Sequence, residues 1–444
     1  MADSIFEESE ELELKVPDTY PTLDVYIPIR RVKLETLEKT VKAMVAQDYP
    51  KDKLSIYVAD DTPEKDRSDQ YAELCEKYEV NYIYDPSNKL YKSGMLNIAI
   101  PQGNGRFIAF FDYDQIPLEG ILRHMVEVLL AHPDRVFVQT KKKFRDLYNL
   151  SRVWSALLYV QFFEVMEKTR NKLKTVLFAG STACFRRLAI EELGGIPEVT
   201  FTEDNELTTA LLLEGKYGIF SDVYGSLGTV PYGFPAQVAQ LWRWSHGGSH
   251  VLHKEFVNIV KSRELNWNQK FEIMSLLSVT PILVFTYLYV VTFIPLLIAG
   301  VDSPRFILFG VSTLFYIPLG PAFTYLLMVI VALWRVQKVN PEFDIKQLPG
   351  FLIIALASNM LIMGSGILGI FGIWGPKSKH GKWTRYLPLK KIAIFTLILG
   401  IGSIYLSIMW LMQGLHSAII LLAIGISILP TFPVVFYYTR EDKH

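Results

Sequence analysis

Four long stretches in the carboxyl-terminal part of this chain contain no Asp, Glu, Lys or Arg. They cover residues 273–301, 306–334, 347–376 and 392–439 of the 444 residues. About 20 apolar residues suffice for a helix to cross a bilayer, and the last stretch is long enough for two helices. The sequence therefore predicts an all-α transmembrane domain at 273–439 and a short cytoplasmic tail at 440–444.

Basic residues flank the third stretch, 347–376, on both sides. Cytoplasmic loops carry an excess of Lys and Arg, and a segment that crosses the membrane once cannot have both ends in the cytoplasm. The stretch is also interrupted by Gly364, Gly366, Gly369 and Gly372. We therefore predict four spans, with 347–376 as a re-entrant or interfacial segment.

The residues before 273 hold nearly all the acidic side chains, which predicts a soluble part. Residues 1–20 form an acidic leader, expected to be disordered, without the apolar core of a secretory signal. We therefore expect the soluble part to lie in the cytoplasm. The formal net charge is zero and neither half has a dense basic face, which argues against nucleic acid as a partner.

Strand and helix patterns alternate through residues 21–244, which we predict to form one α/β domain. Strands are predicted at 23–28, 54–59, 81–84, 107–111 and 136–140, and helices at 32–47, 74–79, 118–131 and 150–167. This alternation predicts a doubly wound, mainly parallel sheet. Ligands of such sheets bind outside the carboxyl ends of the strands.

Two pairs of acidic residues follow predicted strands. Asp112 and Asp114 could together hold Mg²⁺ or Mn²⁺ and the diphosphate of a nucleotide, because these ions prefer oxygen ligands. Alternatively, the two acids cap a helix or face water. Asp60 and Asp61 could bind the base or ribose of a nucleotide, and the alternative is a turn formed with Thr62.

A third acidic group, Thr202-Glu203-Asp204, precedes a predicted helix at 205–213. Thr202 or Asp204 could cap this helix, and a positioned carboxylate could also accept the proton of an attacking hydroxyl group. Both Asp204 and Glu203 are candidate catalytic residues.

Gln240, Arg243 and Trp244 lie within about one helical turn of each other. Arg243 offers a forked donor for a diphosphate, Gln240 an amide, and Trp244 a flat face for a sugar ring. The alternative is a Trp/Arg anchor at a membrane surface, in keeping with the amphipathic interfacial segment that we predict at 245–272.

In order along the chain, these motifs resemble those of the family 2 membrane glycosyltransferases, whose processive members include cellulose, hyaluronan and chitin synthases. The motifs that carry the resemblance are Asp60-Asp61, Lys92-Ser93-Gly94-Met95-Leu96-Asn97, Asp112-Tyr113-Asp114, Gly194-Gly195, Thr202-Glu203-Asp204 and Gln240-x-x-Arg243-Trp244. The resemblance covers the soluble part and the apolar stretches that follow it. It implies a GT-A fold, a UDP-linked sugar donor and an inverting mechanism.

Individual roles follow from the resemblance. Asp60, Asp61 and Lys92 match positions that bind the nucleotide. Asp112 matches the acid that faces the nucleotide, and Asp114 matches the acid that faces the metal ion.

Asp204 matches the general base, and Gln240 and Arg243 match residues that bind the diphosphate. Trp244 matches a stacking platform for the acceptor. A short basic segment also resembles the mobile gating segment of such synthases; its residues are Trp383, Thr384 and Arg385.

Together these features predict a multi-pass enzyme of the cell membrane that extends a polysaccharide from a UDP-sugar and threads the product through its helices. An alternative is the transfer of a single sugar to a lipid carrier. The Gln-x-x-Arg-Trp cluster favours the polymer, whereas the lack of an apolar run before residue 273 favours the lipid carrier. A transporter with a regulatory soluble domain would need neither a base at Asp204 nor a metal ligand at Asp114.

The predicted topology can be tested with single cysteines in a cysteine-free background, probed in intact cells with a membrane-impermeant thiol reagent. Cysteines at Ser378 and Asp442 should resist labelling until the membrane is permeabilised, because both positions are predicted to be cytoplasmic. A cysteine at Ser303 should label at once. Prompt labelling at position 442 would instead indicate five spans.

Overall fold

The structure is a computed structural model that describes residues 12–87, 91–200, 202–278, 389–412 and 431. The chain divides into two compact units. The first contains residues up to 146 together with 162–230 and 254–275, and the second includes 147–161 and 231–253.

An eight-stranded sheet forms the centre of the first unit, with the strand order β3-β2-β1-β4-β7-β6-β8-β5. The strands are β1 (Leu23–Ile29), β2 (Leu54–Asp60), β3 (Asn81–Tyr84), β4 (Phe107–Phe110), β5 (Ile116–Pro117), β6 (Arg135–Arg145), β7 (Ala183–Arg186) and β8 (Tyr217–Thr229). Strands β3, β2, β1 and β4 run parallel, in the doubly wound arrangement expected from the sequence.

The sheet is mixed but mainly parallel, as the sequence predicted: β7 and β5 run in one direction, and all its other strands run in the opposite one. Strand β7 is antiparallel to both β4 and β6, and β5 is antiparallel to β8, while β6 and β8 are parallel. Strand β7 has only four residues, too few for a clear periodicity. It follows a loop in which Gly180 and Thr182 have positive φ angles of 74° and 59°. We attribute the reversal of the chain to this loop.

The described helices are α1 (Leu34–Val45), α2 (Lys65–Lys77), α3 (Tyr91–Ala99), α4 (Ile121–Ala131), α5 (Leu150–Gln161), α6 (Lys168–Leu173), α7 (Arg187–Glu192), α8 (Glu203–Leu213), α9 (Phe234–Lys261), α10 (Trp267–Leu277) and α11 (Leu389–Met412). A π-helical turn, Phe162–Glu167, follows α5 in place of the last part of the helix predicted at 150–167. Helix α2 begins at Lys65, well before the predicted residue 74. The prediction missed its first half because that half is polar and lacks an apolar period.

Both faces of the sheet are buried. On one face, Leu23, Val25 and Ile27 of β1 belong to a core cluster that includes Leu37 of α1 and Leu74 of α2. On the other face, Tyr26, Phe110, Phe137, Phe178 and Phe185 form a chain of ring contacts, with centroids 4.8 to 6.3 Å apart. Burial on both faces explains why the parallel strands are almost continuously apolar.

Part of the leader that was expected to be disordered lies against the first unit. The Lys15 backbone N–H donates to the Glu127 carbonyl of α4 at 3.2 Å, and the Tyr20 hydroxyl donates to the Glu127 carboxylate.

Among the residues that the structure describes, no helix has both the length and the apolarity needed to cross a membrane. Residues 279–388 lie outside the described residues, and with them most of the predicted spans and the segment Trp383, Thr384 and Arg385. The four-span topology remains a prediction.

A buried charge network links three segments of the first unit. Arg170 Nη1 lies 2.7 Å from Glu167 Oε1, and Arg170 Nε lies 2.8 Å from Glu272 Oε1 of α10. Glu167 Oε2 also accepts a hydrogen bond from the Leu177 backbone N–H at 3.0 Å. The network therefore holds the loop that leads to Gly180 against α6 and α10.

Replacing Arg170 with Met should strongly destabilise the protein, because it leaves the buried Glu167 and the partly buried Glu272 carboxylates without their cation. Breaking a buried pair in this way costs about 3–5 kcal/mol. Thermal unfolding of the purified full chain would show the loss as a lower melting temperature. Lys172→Met, at an exposed position on the same helix, is the matched control and should change stability by less than about 0.5 kcal/mol. Equal melting temperatures for the two variants would contradict the role of the network.

Candidate active site

Lys92, at the start of α3, joins three parts of the chain near the carboxyl end of β4. Its ammonium group lies 2.7 Å from Asp112 Oδ1 and 3.4 Å from Glu203 Oε1 of α8. The same group donates a hydrogen bond to the Gly180 carbonyl at 2.6 Å. The structure thus brings together Lys92, Asp112 and Glu203, which lie far apart in the sequence.

The loop that carries Gly180 is fixed by buried side chains. The Phe178 N–H donates to Thr208 Oγ1 at 3.0 Å, and the Ala179 N–H donates to Gln139 Oε1 at 2.8 Å. Gly180 has a φ angle of +74°, and a Cβ atom there would lie 3.3 Å from Asp204 Oδ2. Another residue would therefore be strained and would crowd the carboxylate of Asp204.

The charges at the site act on one another. Burial alone would raise the pKa of Asp112, but the ammonium groups of Lys92 and Lys142 hold it below its ordinary value. Burial alone would lower the pKa of Lys92, but the Asp112 and Glu203 carboxylates raise it above its ordinary value. Asp112 and Lys92 are therefore both charged at neutral pH.

Asp114 has a different environment. Burial, followed by repulsion from Asp112, raises the pKa of Asp114 to about 6, and the Thr229 hydroxyl donates to its Oδ2 atom at 3.3 Å. A nearby cation would stabilise the ionised form of this carboxylate, and carboxylate oxygens are suitable ligands for Mg²⁺ or Mn²⁺. Among the described residues, no three or more His, Cys, Asp or Glu side chains are grouped so that they could hold a metal ion.

Asp204 lies in the first turn of α8 and is partly exposed. Its Oδ1 atom accepts a hydrogen bond from the Asn205 N–H at 2.8 Å. Burial, followed by the charge of Glu203, raises the pKa of Asp204 to about 7. The side chain of Thr202, at the N-cap position, makes no capping hydrogen bond. A reachable carboxylate with this pKa is well suited to accept a proton near neutral pH.

Lys142 of β6 is a residue at this site that the sequence did not single out. Its ammonium group donates to the Ala179 carbonyl at 3.0 Å. Burial, together with repulsion from Lys92, lowers the pKa of Lys142 more than the attraction of Asp112, Asp114 and Asp204 raises it. The run Lys141-Lys142-Lys143, within β6 and directly after the strand predicted at 136–140, was the available signal.

The first acidic pair is turned into the protein. Asp60 is fully buried, and its Oδ2 atom accepts a hydrogen bond from the Tyr82 hydroxyl at 2.6 Å. The Thr62 N–H donates to Asp60 Oδ1 at 2.8 Å, which is the turn considered as the alternative. Asp61 lies 2.5 Å from Arg30 Nη1. Both carboxylate oxygens of Asp60 therefore accept hydrogen bonds within the protein. Nucleotide binding by Asp60 and Asp61 remains a prediction.

Gln240, Arg243 and Trp244 lie on α9 in the second unit. Gln240 Nε2 donates to the Tyr159 hydroxyl at 3.2 Å, and the Trp244 ring packs edge-on against Tyr159, with centroids 5.5 Å apart. Arg243 is exposed. The predicted clustering on one helical turn is present, and α5 supplies the tyrosine that orders it.

Comparison with known proteins places this site in a protein class. Residues 24–194 match the family described as Glycosyl transferase family 2. This range contains the Lys92–Asp112 pair, Asp114, Lys142 and the Gly180 loop. The chain therefore contains a family 2 glycosyltransferase domain, which confirms the resemblance found in the motifs.

Curated relatives of the chain include cellulose synthases. The chain is 29% identical over 259 residues to the cellulose synthase catalytic subunit (UDP-forming) of Pseudomonas fluorescens (strain SBW25), which covers 57% of this chain and 34% of the relative. It is 27% identical over 259 residues to cellulose synthase 1 of Komagataeibacter xylinus, covering 57% of this chain and 16% of the relative. The aligned region thus spans about a third or less of these relatives.

A solved structure with a similar fold is the mannosyltransferase PcManGT from Pyrobaculum calidifontis, in complex with GDP-Man and Mn²⁺. The TM-score is 0.50 at 17% sequence identity, and the match covers 83% of this chain and 92% of that chain. The likeness supports a GT-A-like mixed α/β fold.

Asp204→Asn should transfer sugar at least roughly a hundredfold more slowly while binding the donor normally, as expected for loss of a general base. Only the ionised carboxylate accepts a proton, so wild-type kcat/KM should rise with pH and level off above about 7, the pKa of Asp204. The variant should lack this rise. Near wild-type turnover by a folded variant would rule out Asp204 as the base.

Proposed function

We propose that this chain is an inverting glycosyltransferase that moves a sugar from a nucleoside diphosphate sugar to an acceptor hydroxyl group. The main observation that supports this proposal is that Asp204 is partly exposed and has a pKa raised to about 7. Asp204 lies in the same compact unit as the Lys92–Asp112 pair. UDP is the proposed nucleotide, because a cellulose synthase relative carries the description UDP-forming.

In the proposed reaction, Asp204 accepts the proton of the acceptor hydroxyl as its oxygen attacks the anomeric carbon. The new glycosidic bond forms while the bond to the diphosphate oxygen breaks, so the anomeric configuration inverts. The charged Lys92, held by Asp112 and the Gly180 carbonyl, keeps positive charge near the departing diphosphate. Gly180 leaves space beside Asp204 Oδ2.

Asp114 and Asp112 would hold a divalent cation, Mg²⁺ or Mn²⁺, which supplies positive charge opposite the diphosphate when bound. The raised pKa of Asp114 supports this role, because a bound cation offsets both its burial and its repulsion from Asp112. Mn²⁺ accompanies a nucleotide sugar in the structure of PcManGT. Binding and orientation of the donor remain tasks of the protein side chains.

We also assign binding roles to three residues of α9 that match the family motif: Gln240, Arg243 and Trp244. Arg243, exposed on α9, would bind the diphosphate together with Gln240. Trp244, held edge-on by Tyr159, would stack on the acceptor sugar. This motif and the cellulose synthase relatives support a polysaccharide as the product.

We also propose that the enzyme works at the cytoplasmic face of the cell membrane. Large apolar side chains are exposed just before the first apolar stretch, including Trp267 at 74% and Phe271 at 71% on α10. Trp is common at membrane surfaces, and exposed apolar clusters of this kind mark interaction sites. The full chain should stay in the membrane fraction after an alkaline carbonate wash, and its release would contradict an integral membrane location.

The function can be tested by incubating purified protein in nanodiscs with a panel of UDP-sugars and Mg²⁺ or Mn²⁺. Release of UDP identifies the donor, and product size distinguishes a polymer from a single transfer to lipid. Failure to turn over or bind any nucleotide sugar would overturn the proposal.

Asp114→Ala should abolish the effect of Mn²⁺ on UDP binding, because the proposal makes the Asp114 carboxylate a direct ligand. Calorimetry with UDP, with and without Mn²⁺, measures the effect. Asp134→Ala removes a surface carboxylate with its side chain 61% exposed and serves as the control. If Asp114→Ala keeps the full effect of Mn²⁺, Asp114 is not a ligand.

A further inference from the structure

Three successive lysines of β6 have different environments. Lys141 forms ion pairs with Glu164 Oε1 at 3.0 Å and Asp222 Oδ1 at 2.5 Å, and Lys143 is exposed. Lys142 is only 7% exposed. The pairing of β6 with β8 shifts register on both sides of Lys141, and such irregularities re-aim side chains. This irregularity accompanies the burial of two adjacent lysines.

Lys142 and Lys92 bind consecutive carbonyl groups of one loop, those of Ala179 and Gly180. The two ammonium groups differ in their anions. Lys92 forms ion pairs with Asp112 and Glu203, whereas Lys142 forms no ion pair with any carboxylate in the described part of the chain. An ammonium group has three donors, and the Ala179 carbonyl uses one of them.

A buried ammonium group without an ion-pair partner is costly, so its presence calls for a compensating anion. Asp112, Asp114 and Asp204 attract Lys142 electrostatically without forming ion pairs with it. An incoming oxygen anion would be repelled by these carboxylates, and Lys142 is placed to offset that repulsion.

We propose that Lys142 binds the diphosphate of the nucleotide-sugar donor and stabilises it as the leaving group. The inference rests on the proposed function and adds a residue to it. A diphosphate oxygen supplies the anion that Lys142 lacks, whereas a neutral acceptor hydroxyl group would leave its charge uncompensated. As the bond between the anomeric carbon and the diphosphate oxygen breaks, negative charge grows on the departing diphosphate, and its interaction with Lys142 strengthens.

Lys142→Met tests the proposal, since it keeps an unbranched side chain only one atom shorter and removes the charge. Lys143→Met is the matched control, and Lys142→Arg restores a positive charge. Each full-length protein is compared for binding of UDP with Mn²⁺ by calorimetry and for binding of uridine by ligand-observed NMR. Thermal unfolding reports on the fold.

Lys142→Met should weaken UDP binding roughly 10- to 100-fold, the scale of one hydrogen bond to a charged group. Uridine binding, the melting temperature and every property of Lys143→Met should stay close to wild type, and Lys142→Arg should recover part of the UDP affinity.

Wild-type UDP affinity in Lys142→Met together with slower transfer would assign Lys142 to the acceptor and overturn the proposal. Equal weakening of UDP and uridine with a lower melting temperature would make the residue structural and would also overturn it. If the wild-type protein binds no UDP, the proposed function itself fails. The wild-type measurement alone therefore distinguishes this outcome from a failure of the Lys142 proposal.

Discussion

The ion pair between Lys92 and Asp112 is the contact on which the arrangement of the site depends. One ammonium group meets the end of β4, the start of α8 and the Gly180 carbonyl within 3.4 Å. Each partner comes from a different segment, so the pair sets the distance between the acidic group after β4 and the one at 203–204. Loss of the cation would leave two partly buried carboxylates facing each other, which the low dielectric of the site makes unfavourable.

The same cluster gives chemically similar carboxylates different properties. The pKa of Asp112 is held low by two lysines, whereas burial and a neighbouring carboxylate raise the pKa values of Asp114 and Asp204. Diverging pKa values within one group of acids are the usual sign of divided roles. Asp112 is suited to anchoring charge, Asp114 to a cation and Asp204 to a proton.

Much of the parallel half of the sheet followed from the sequence, because its strands are continuous apolar runs buried on both faces, and the acidic motifs at their ends were visible as patterns. Strand β7 was missed because four residues carry no period. The burial of Asp60 was not visible either, since an acid at a strand end looks the same whether it meets Tyr82 or water. Lys142 was hidden for a related reason, because a lysine run normally indicates a solvated edge.

Buried charge also connects the site to the end of the first unit. The Leu177 N–H, three residues before Gly180, is held by Glu167, and Glu167 shares Arg170 with Glu272 of α10. Glu272 directly precedes the first apolar stretch, 273–301. Burial raises the pKa of Glu167 to about 7, so its ionised form depends on Arg170. A shift of α10 that moved Glu272 would therefore alter the charge balance at Arg170 and the hydrogen bond to Leu177. Because buried ionic networks break as units, the position of α10 and the shape of the Gly180 loop are physically linked.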